Sequence, residues 1–262
     1  MPAAQLVPSV PSVPSPAPTP IQWSDAVEII QPSVVRISTP GGSGTGFLIS
    51  NSKNNDIAGV ATAAHVVNHA HYWEEPIRID HIAKSVVVRH HERAIFIDLN
   101  RDTAAILFHR ADLPFPAEPL PLAPKGMFLK VANQIGWLGF PAIPAANLCF
   151  FTGNISAWVV QQGAYLVDGV AINGVSGGPA FHLPGGSLPV LLIGVVSAYM
   201  PNRATGEVLP GLSVVRDVTQ FHDLAPTFAS LDQAREAAPA AQPPPPQAQS
   251  ERPGETPVRR II

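Results

Sequence analysis

A serine inside a glycine-rich run is the first residue of this chain that could do chemistry. Ser176 lies in the sequence Gly174-Val-Ser-Gly-Gly-Pro179. Acyl transfer from a peptide needs a nucleophile, a base for its proton and donors for the developing oxyanion. Glycine adopts backbone conformations barred to most residues, so Gly174 can aim its N–H alongside that of Ser176. We therefore expect Ser176 to be a nucleophile, and the N–H groups of Gly174 and Ser176 to form an oxyanion hole. The alternative is an exposed serine in a plain turn.

A histidine and an aspartate upstream would complete this chemistry. His65 ends the run Thr62-Ala-Ala-His65, and Asp102 begins the run Asp102-Thr-Ala-Ala-Ile106. An imidazole titrates near neutral pH and suits a general base, while a carboxylate can orient it through the other ring nitrogen. We expect His65 at the end of a strand, facing Ser176. The alternatives are a core histidine and a turn aspartate, and Asp98 is a rival orienting group.

The order histidine, aspartate, serine is that of chymotrypsin-type serine proteases. The region from Ala26 to about Asp217 resembles the trypsin-like peptidase fold, and within it the HtrA/Deg branch. Further blocks carry this resemblance: Ala26–Ile37, Gly42–Ser50, Leu138–Pro141, Gly153–Ser156 and Asp168. The resemblance implies a catalytic triad of His65, Asp102 and Ser176 in an endopeptidase that acts through an acyl-enzyme.

The chain departs from secreted trypsins at two points. Val175 stands where those enzymes carry an aspartate that pairs with a freed N-terminus, so activation by that ion pair is not expected. The C-terminal stretch is short and rich in alanine and proline, so we expect a protease domain without a PDZ module. Alternatives to a working enzyme are a latent or inactive binding or scaffolding protein, and an effector protease activated by a partner.

The same resemblance predicts a substrate pocket. Its base is near Val170, and its walls come from Ser197, Ala198, Tyr199 and Gly211. Ser197 also commonly supports the triad aspartate in this fold. Because no carboxylate stands at the pocket base, we expect small or medium aliphatic residues before the scissile bond rather than lysine or arginine. Asp168 would change this expectation if the register were shifted by two.

The elements that must position these residues are mostly short strands separated by glycine, proline and asparagine turns, which is typical of an all-β barrel or sandwich. The expected fold is two six-stranded-type β-barrels of the chymotrypsin-like kind, with short helices at the N- and C-terminal edges. A helix is predicted over Ser24–Ile30 and another over Asp217–Leu224. The predicted strands are Ser33–Ser38, Phe47–Ser50, Ala58–Thr62, Ser85–Arg89, Ala94–Asp98, Ala104–Phe108, Gln134–Gly139, Ala157–Val160, Pro189–Ala198 and Gly211–Val215.

Proline-rich segments suggest the domain limits. Five prolines lie between Leu113 and Pro124, a plausible boundary between two halves at about 22–112 and 125–232. Residues 1–21 and 233–262 are rich in proline and alanine, and such compositions cannot bury enough apolar surface to fold. We therefore expect a protease domain at 22–232 between disordered tails, whose proline tract could also bind a protein partner.

Composition excludes several other classes. The net charge of −3 favours neither nucleic acid nor an anionic membrane. One cysteine, Cys149, permits no intrachain disulfide, and the N-terminus lacks a Sec-type signal, so a cytoplasmic location is expected, with a cysteine-poor periplasmic protein as the alternative. The histidines at 65, 69, 71, 90 and 91 lack a helical zinc motif, and neither a metal nor another cofactor is expected.

Overall fold

The computed structural model describes residues 20–52, 56–110, 113–143, 147–185, 189–201 and 208–237. Most of the two predicted disordered tails therefore lies outside the described residues. Three α-helices are described, α1 (Trp23–Ile30), α2 (Ala64–Tyr72) and α3 (Leu224–Ala237), with 3₁₀ turns at Gln31–Ser33, His90–Glu92, Val160–Gln162 and Thr219–Asp223. The described strands are β1 (Val34–Thr39), β2 (Gly42–Asn51), β3 (Ile57–Thr62), β4 (Ile77–Asp80), β5 (Ser85–Val88), β6 (Arg93–Asp98), β7 (Thr103–His109), β8 (Gln134–Gly139), β9 (Cys149–Val159), β10 (Ala164–Asp168), β11 (Pro179–His182), β12 (Leu191–Pro201) and β13 (Val208–Asp217).

The strands fall into two sheets. The first seven form one antiparallel sheet in the order β5-β4-β1-β2-β3-β7-β6, and the last six form a closed barrel in the order β10-β13-β12-β11-β8-β9. The predicted all-β, chymotrypsin-like class is confirmed, although the N-terminal half is a seven-stranded sheet rather than a six-stranded barrel. Strand pairing changes sheet across the proline-rich connection, where Leu122 makes an isolated bridge to Leu192 of the barrel.

Several strands of the N-terminal sheet are buried on both faces. In β7, Ala105 and Leu107 join the core shared with the barrel, whereas Ile106 and Phe108 join a second core inside the N-terminal sheet. Successive side chains of a strand point to opposite faces, so one apolar run supplies both cores. This double burial explains why β7 reads as an almost continuous apolar segment.

The sequence-based element assignment missed two helices and three strands. The missing elements are α2, α3, β4, β10 and β11. The strands have four or five residues, so alternation had too few positions to be recognised, and α2 contains three histidines and two valines, which are weak helix formers. The predicted C-terminal helix is instead a 3₁₀ turn, followed by α3. Phe228 of α3 is buried against Gly59 of β3, so α3 packs on the N-terminal sheet.

Candidate active site

His65 lies in the first turn of helix α2. Strand β3 ends at Thr62, and the helix starts two residues later. The expected position at the end of a strand was therefore wrong, because β3 stops before the histidine and His65 lies on the helix that follows. Ala63 and Ala64 are buried at the β3–α2 junction, while the His65 side chain remains half exposed. Small residues at the junction let the helix start close against the sheet and leave the imidazole accessible.

Asp102 binds His65 through both its backbone and its ring. The Nδ1 of His65 lies 3.0 Å from Oδ1 and 2.9 Å from Oδ2 of Asp102, and the His65 N–H donates to Oδ1 at 3.0 Å. A carboxylate only accepts, so Nδ1 carries the ring proton of the neutral imidazole and Nε2 is left as an acceptor. The same carboxylate satisfies a free N–H at the start of α2, where negative charge is stabilised.

Asp102 occupies a conformation that is unusual for a residue with a side chain. Its φ is +50°, in the left-handed region that asparagine and aspartate tolerate best. The turn before it is held by Asp98, whose Oδ1 accepts the N–H groups of Asn100 and Arg101 at 3.0 and 3.1 Å. Asp98, the rival orienting group, therefore shapes the turn, and Asp102 is the aspartate in contact with His65.

Ser197 connects the C-terminal barrel to this pair. Its hydroxyl donates to Asp102 Oδ2 at 2.5 Å, and the serine is almost completely buried on β12. Burial alone would raise the pKa of the Asp102 carboxyl, but the hydrogen bonds from His65 and Ser197 outweigh it and hold the pKa below its ordinary value. The carboxylate therefore stays ionised beside the imidazole at neutral pH.

The serine loop depends on two glycines with positive φ. Gly174 has φ +90° and Gly177 has φ +89°. A Cβ at Gly174 would lie 2.4 Å from the carbonyl oxygen of Phe140, and one at Gly177 would lie 2.0 Å from that of Thr45. Neither position accepts a side chain, because both the backbone conformation and the surrounding atoms exclude one.

The backbone donors of this loop divide into two groups. The N–H groups of Val175, Gly177 and Gly178 donate to the carbonyl oxygens of Ile172, Val196 and Val175, respectively. Within the described residues, the N–H groups of Gly174 and Ser176 have no hydrogen-bond acceptor. Ala142 N–H holds the carbonyl oxygen of Asn173 at 2.7 Å, and in a trans peptide this directs the N–H of Gly174 the opposite way. Two free donors flank the candidate nucleophile.

The loop docks directly beside the histidine helix. The carbonyl oxygen of Ser176 accepts the N–H of Thr45 at 2.8 Å, and a Cβ on Gly44 would lie 2.5 Å from Val66 and 2.9 Å from that same oxygen. Gly44 therefore lies between Ser176 and Val66, the residue after His65. In the described part of the chain no hydrogen bond joins the His65 and Ser176 side chains, which is a frequent condition of catalytic pairs before substrate binds.

Two buried residues, Val175 and Thr45, stabilise the serine loop. Val175 is completely buried and packs against Gly139 at the end of β8. The Thr45 hydroxyl donates to the carbonyl oxygen of Gly174 at 2.7 Å and accepts the N–H of Phe140 at 2.9 Å. Sequence reasoning missed Thr45, and the available signal was a hydroxyl residue in the otherwise glycine-rich and apolar run Gly44-Thr-Gly-Phe-Leu-Ile49.

The predicted pocket residues are only partly described. Val170 follows β10 and is half exposed, and Gly211 lies on β13 with φ +71°. Ala198 and Tyr199 pair with β13 through their backbones, and their side chains lie outside the described set. Ser197 directs its hydroxyl at Asp102, so its side chain contacts the candidate triad. Asp168 accepts hydrogen bonds from the backbone N–H and side-chain amide of Asn154 on β9.

Among the other histidines, His69 and His90 lie beside glutamates on the surface. His69 Nδ1 lies 3.0 Å from Glu75, and His90 Nε2 lies 3.9 Å from Glu74. In the described ranges, no three histidine, cysteine, aspartate or glutamate residues come together as metal ligands. Cys149 begins β9 as a free, half-buried thiol. None of the described helices combines the length and the apolar character that crossing a bilayer requires.

Comparison with solved structures shows which fold this is. The active form of the Rv3671c protease of M. tuberculosis matches 85% of this chain and 93% of its own, with 23% identity and a TM-score of 0.57. The serine endoprotease of Yersinia pestis matches 84% and 68%, with 17% identity and a TM-score of 0.58. Deg5 matches 81% and 98%, with 16% identity and a TM-score of 0.57. At these identities the likeness establishes a chymotrypsin-like fold, as found in HtrA/Deg-type proteases.

A family model adds the class of protein. The trypsin-like peptidase domain matches residues 44–190, more than half of the chain and a span that includes His65, Asp102 and Ser176. The chain therefore belongs to the trypsin-like peptidase family and is a serine-type endopeptidase. No curated protein sequence matches it.

Proposed function

We propose that this protein hydrolyses peptide bonds with a triad of Ser176, His65 and Asp102 and an oxyanion hole formed by the N–H groups of Gly174 and Ser176. The observation that carries the proposal is the meeting of two features at the junction of the sheets. One is a histidine whose Nδ1–H is held by a partly buried carboxylate, and the other is an adjacent serine with two unused backbone donors.

The proposed mechanism has two half-reactions that use the same groups. His65 Nε2 takes the proton of Ser176 Oγ as this oxygen attacks the substrate carbonyl carbon, and the Gly174 and Ser176 N–H groups stabilise the oxyanion. The imidazolium is stabilised by ionised Asp102 and gives its proton to the leaving amine. Water then attacks the acyl-enzyme by the same route and releases the second product.

Small or medium aliphatic residues before the scissile bond are the substrate preference that we propose. Val170 presents an apolar, half-exposed surface near the predicted pocket base. Asp168 is the acidic residue nearest to it in sequence, and its carboxylate is bound by Asn154. Both of its carboxylate oxygens are therefore engaged with β9. Profiling with a peptide library should show cleavage after valine, alanine or leucine well above cleavage after lysine or arginine.

The proposed catalytic unit spans residues 22–232, with halves at about 22–112 and 125–232. The split in strand pairing between β7 and β8 supports the internal boundary. Helix α3 runs on to Ala237, and its buried Phe228 packs on β3. An expression fragment that includes all of α3 is therefore the better form for testing this unit on its own.

Labelling with a fluorophosphonate probe tests the proposed nucleophile. We expect the wild-type protein to be labelled at Ser176, as mapped by mass spectrometry of the modified peptide. Ser176→Ala should give no labelling, and His65→Ala should slow it by about 100- to 10,000-fold because the general base is lost. Ser85→Ala and His91→Ala are matched controls on the exposed surface and should be labelled like the wild type.

Two outcomes would contradict the proposal. One is a folded wild-type protein that the probe leaves unmodified, which would favour a latent or partner-activated form. The other is labelling that persists in Ser176→Ala, which would place the reactive residue elsewhere. Circular dichroism of each variant shows whether a loss of labelling reflects chemistry or unfolding.

A further inference from the structure

Thr45 makes four hydrogen bonds at the junction of the two sheets. It is completely buried on β2. Its N–H donates to Ser176 O at 2.8 Å, and its carbonyl oxygen accepts the hydroxyl of Thr62 at 2.7 Å. Its own hydroxyl donates to Gly174 O at 2.7 Å and accepts the Phe140 N–H at 2.9 Å. Every polar group of this residue is therefore engaged, and two of the bonds reach the serine loop.

These bonds determine how Gly174 is oriented. The Thr45 hydroxyl holds the carbonyl group on the C-terminal side of Gly174. Through Phe140 it also holds the segment that leads to Ala142, whose N–H binds the carbonyl oxygen of Asn173 on the N-terminal side. The Thr45 hydroxyl therefore holds both peptide planes that flank Gly174. It holds the C-terminal plane directly and the N-terminal plane through Phe140. The direction of the Gly174 N–H follows from these two planes.

No other side chain among the described residues hydrogen-bonds to the backbone of residues 173–178. Val175 contributes packing to the same loop and no polar contact, because its side chain is apolar and buried. A glycine-rich loop loses more conformational freedom than others when it is ordered, so a specific polar anchor is needed to keep one conformation. The hydroxyl of Thr45 supplies that anchor from the opposite sheet.

We propose that Thr45 is a positioning residue that keeps the oxyanion hole formed before substrate arrives. This inference rests on the proposed function of Ser176 and Gly174. It assigns to the N-terminal sheet a part in the oxyanion hole, although both oxyanion donors belong to the C-terminal barrel. Thr45 acts through Gly174 and does not itself touch the substrate.

The test compares Thr45→Val with Thr45→Ser. Valine keeps the shape and removes the hydroxyl, whereas serine keeps the hydroxyl and removes a methyl group. For Thr45→Val we expect kcat to fall by up to about 100-fold with KM little changed, since a small misplacement of a catalytic group has an effect of this size. Affinity for a peptide aldehyde or boronate, which places an oxygen in the oxyanion hole, should fall in parallel. Thr45→Ser should stay within a few-fold of the wild type.

A stability control separates positioning from general loosening. Ile79→Val removes one buried methyl group from the core of the N-terminal sheet, away from the serine loop. We expect it to lower Tm without lowering kcat. If Thr45→Val does not fold, Thr45→Ala is the second variant, because the space left by the side chain can admit water. Unchanged kcat and unchanged inhibitor affinity in the folded hydroxyl-free variant would overturn the proposal, and so would a kcat loss in Ile79→Val of equal size.

Hydrogen exchange distinguishes failure of this inference from failure of the proposed function. Peptides that cover residues 170–178 should exchange faster in Thr45→Val than in Thr45→Ser or Ile79→Val. If the wild type shows no protease activity but this difference is present, the protease mechanism falls and the positioning role of Thr45 stands. If the wild type is active and exchange in the loop is the same in all variants, the role of Thr45 is refuted.

Discussion

The two sides of the proposed active site are held in different ways. On the N-terminal side, His65 and Asp102 are joined by side-chain hydrogen bonds, and Ser197 adds a third side chain. On the C-terminal side, the loop from Asn173 to Gly178 is held mainly by backbone hydrogen bonds and by glycines with positive φ. Thr45 is the exception on this side, because among the described residues its side chain alone hydrogen-bonds to the loop.

This difference separates the groups that tune the electrostatics of the site from the groups that fix the shape of the serine loop. A side-chain network can be altered one group at a time, and its effect on the site is largely electrostatic, as the lowered pKa of Asp102 shows. A backbone-held loop has few groups that substitution can remove, so it is disturbed by adding a Cβ or by removing its anchor. The following substitutions test that distinction, starting with the largest expected effect on activity.

Asp102→Asn should inactivate the N-terminal side of the site, which is held by side-chain hydrogen bonds, without moving its backbone. Asparagine tolerates the left-handed conformation at φ +50°, so the loop should remain intact. The neutral amide neither stabilises the imidazolium nor enforces the Nδ1–H tautomer, and we expect kcat to fall by about 10,000-fold. Steady-state kinetics at pH 7 measures the loss, and circular dichroism shows that the fold is kept.

Asp98→Asn is the matched control for that substitution. It changes the same functional group four residues earlier, and its Oδ1 can still accept the N–H groups of Asn100 and Arg101. We expect activity close to that of the wild type. Should Asp98→Asn lose as much activity as Asp102→Asn, Asp102 would not be the specific partner of His65.

Gly177→Ala should disrupt the serine loop on the C-terminal side of the site, which is held mainly by backbone hydrogen bonds. The new Cβ would lie 2.0 Å from the carbonyl oxygen of Thr45 and 2.2 Å from the hydroxyl of Thr62, so the loop must move. A displaced Ser176 N–H removes one oxyanion donor, and a loss of about 100- to 1,000-fold in kcat is expected. Kinetics and fluorophosphonate labelling measure this loss, and thermal melting reports the accompanying destabilisation.

Gly185→Ala isolates the contribution of backbone strain. Gly185 has the same φ of +89°, and a Cβ there would meet no atom within 4 Å. This variant should lose about 1–2 kcal/mol of stability from the left-handed conformation alone and keep its activity. Equal activity losses in both variants would mean that strain, rather than the contact with Thr45, explains the effect of Gly177→Ala.

Ser197→Ala should have the smallest effect on activity, within about tenfold, because one hydrogen bond to a charged group is lost. Its clearer effect is on acid stability. The folded-state pKa of Asp102 lies below its ordinary value of 3.8, so its stabilisation is complete above that value and is lost as the pH falls through the lower folded pKa. Removing Ser197 raises the folded pKa, and the acid-unfolding midpoint should therefore move to higher pH.

Ser213→Ala provides the comparison for acid unfolding. Ser213 is equally buried on the neighbouring strand, and its hydroxyl donates to the carbonyl oxygen of Gly169. Loss of this hydroxyl should lower Tm. It should shift the acid-unfolding midpoint only as far as the lower overall stability requires. A Ser197→Ala midpoint that moves no further than the Ser213→Ala midpoint would show that Ser197 does not influence Asp102.

Local pattern was enough to predict much of the fold. Strand β8 was predicted with its observed limits, and β1, β3 and β6 within one residue at each end, because their apolar residues alternate or run together between turn residues. The closed C-terminal barrel was not visible in the same way. Closure depends on β10 and β11, which are short, and on pairing between strands that are far apart in the chain.

The sequence by itself determined which residues are candidates for the chemistry and in which order. It placed a serine between glycines, a histidine after two alanines and an aspartate after a turn, and these types at these positions predict acyl transfer. Only the tertiary structure decided how they are arranged. It selected Asp102 over Asp98, moved His65 onto a helix, and joined Ser197 to Asp102 across 95 positions and Thr45 to Gly174 across 129. The physical reason is that a hydrogen bond depends on distance and direction between atoms, and residues so far apart in sequence acquire these only when the two sheets pack.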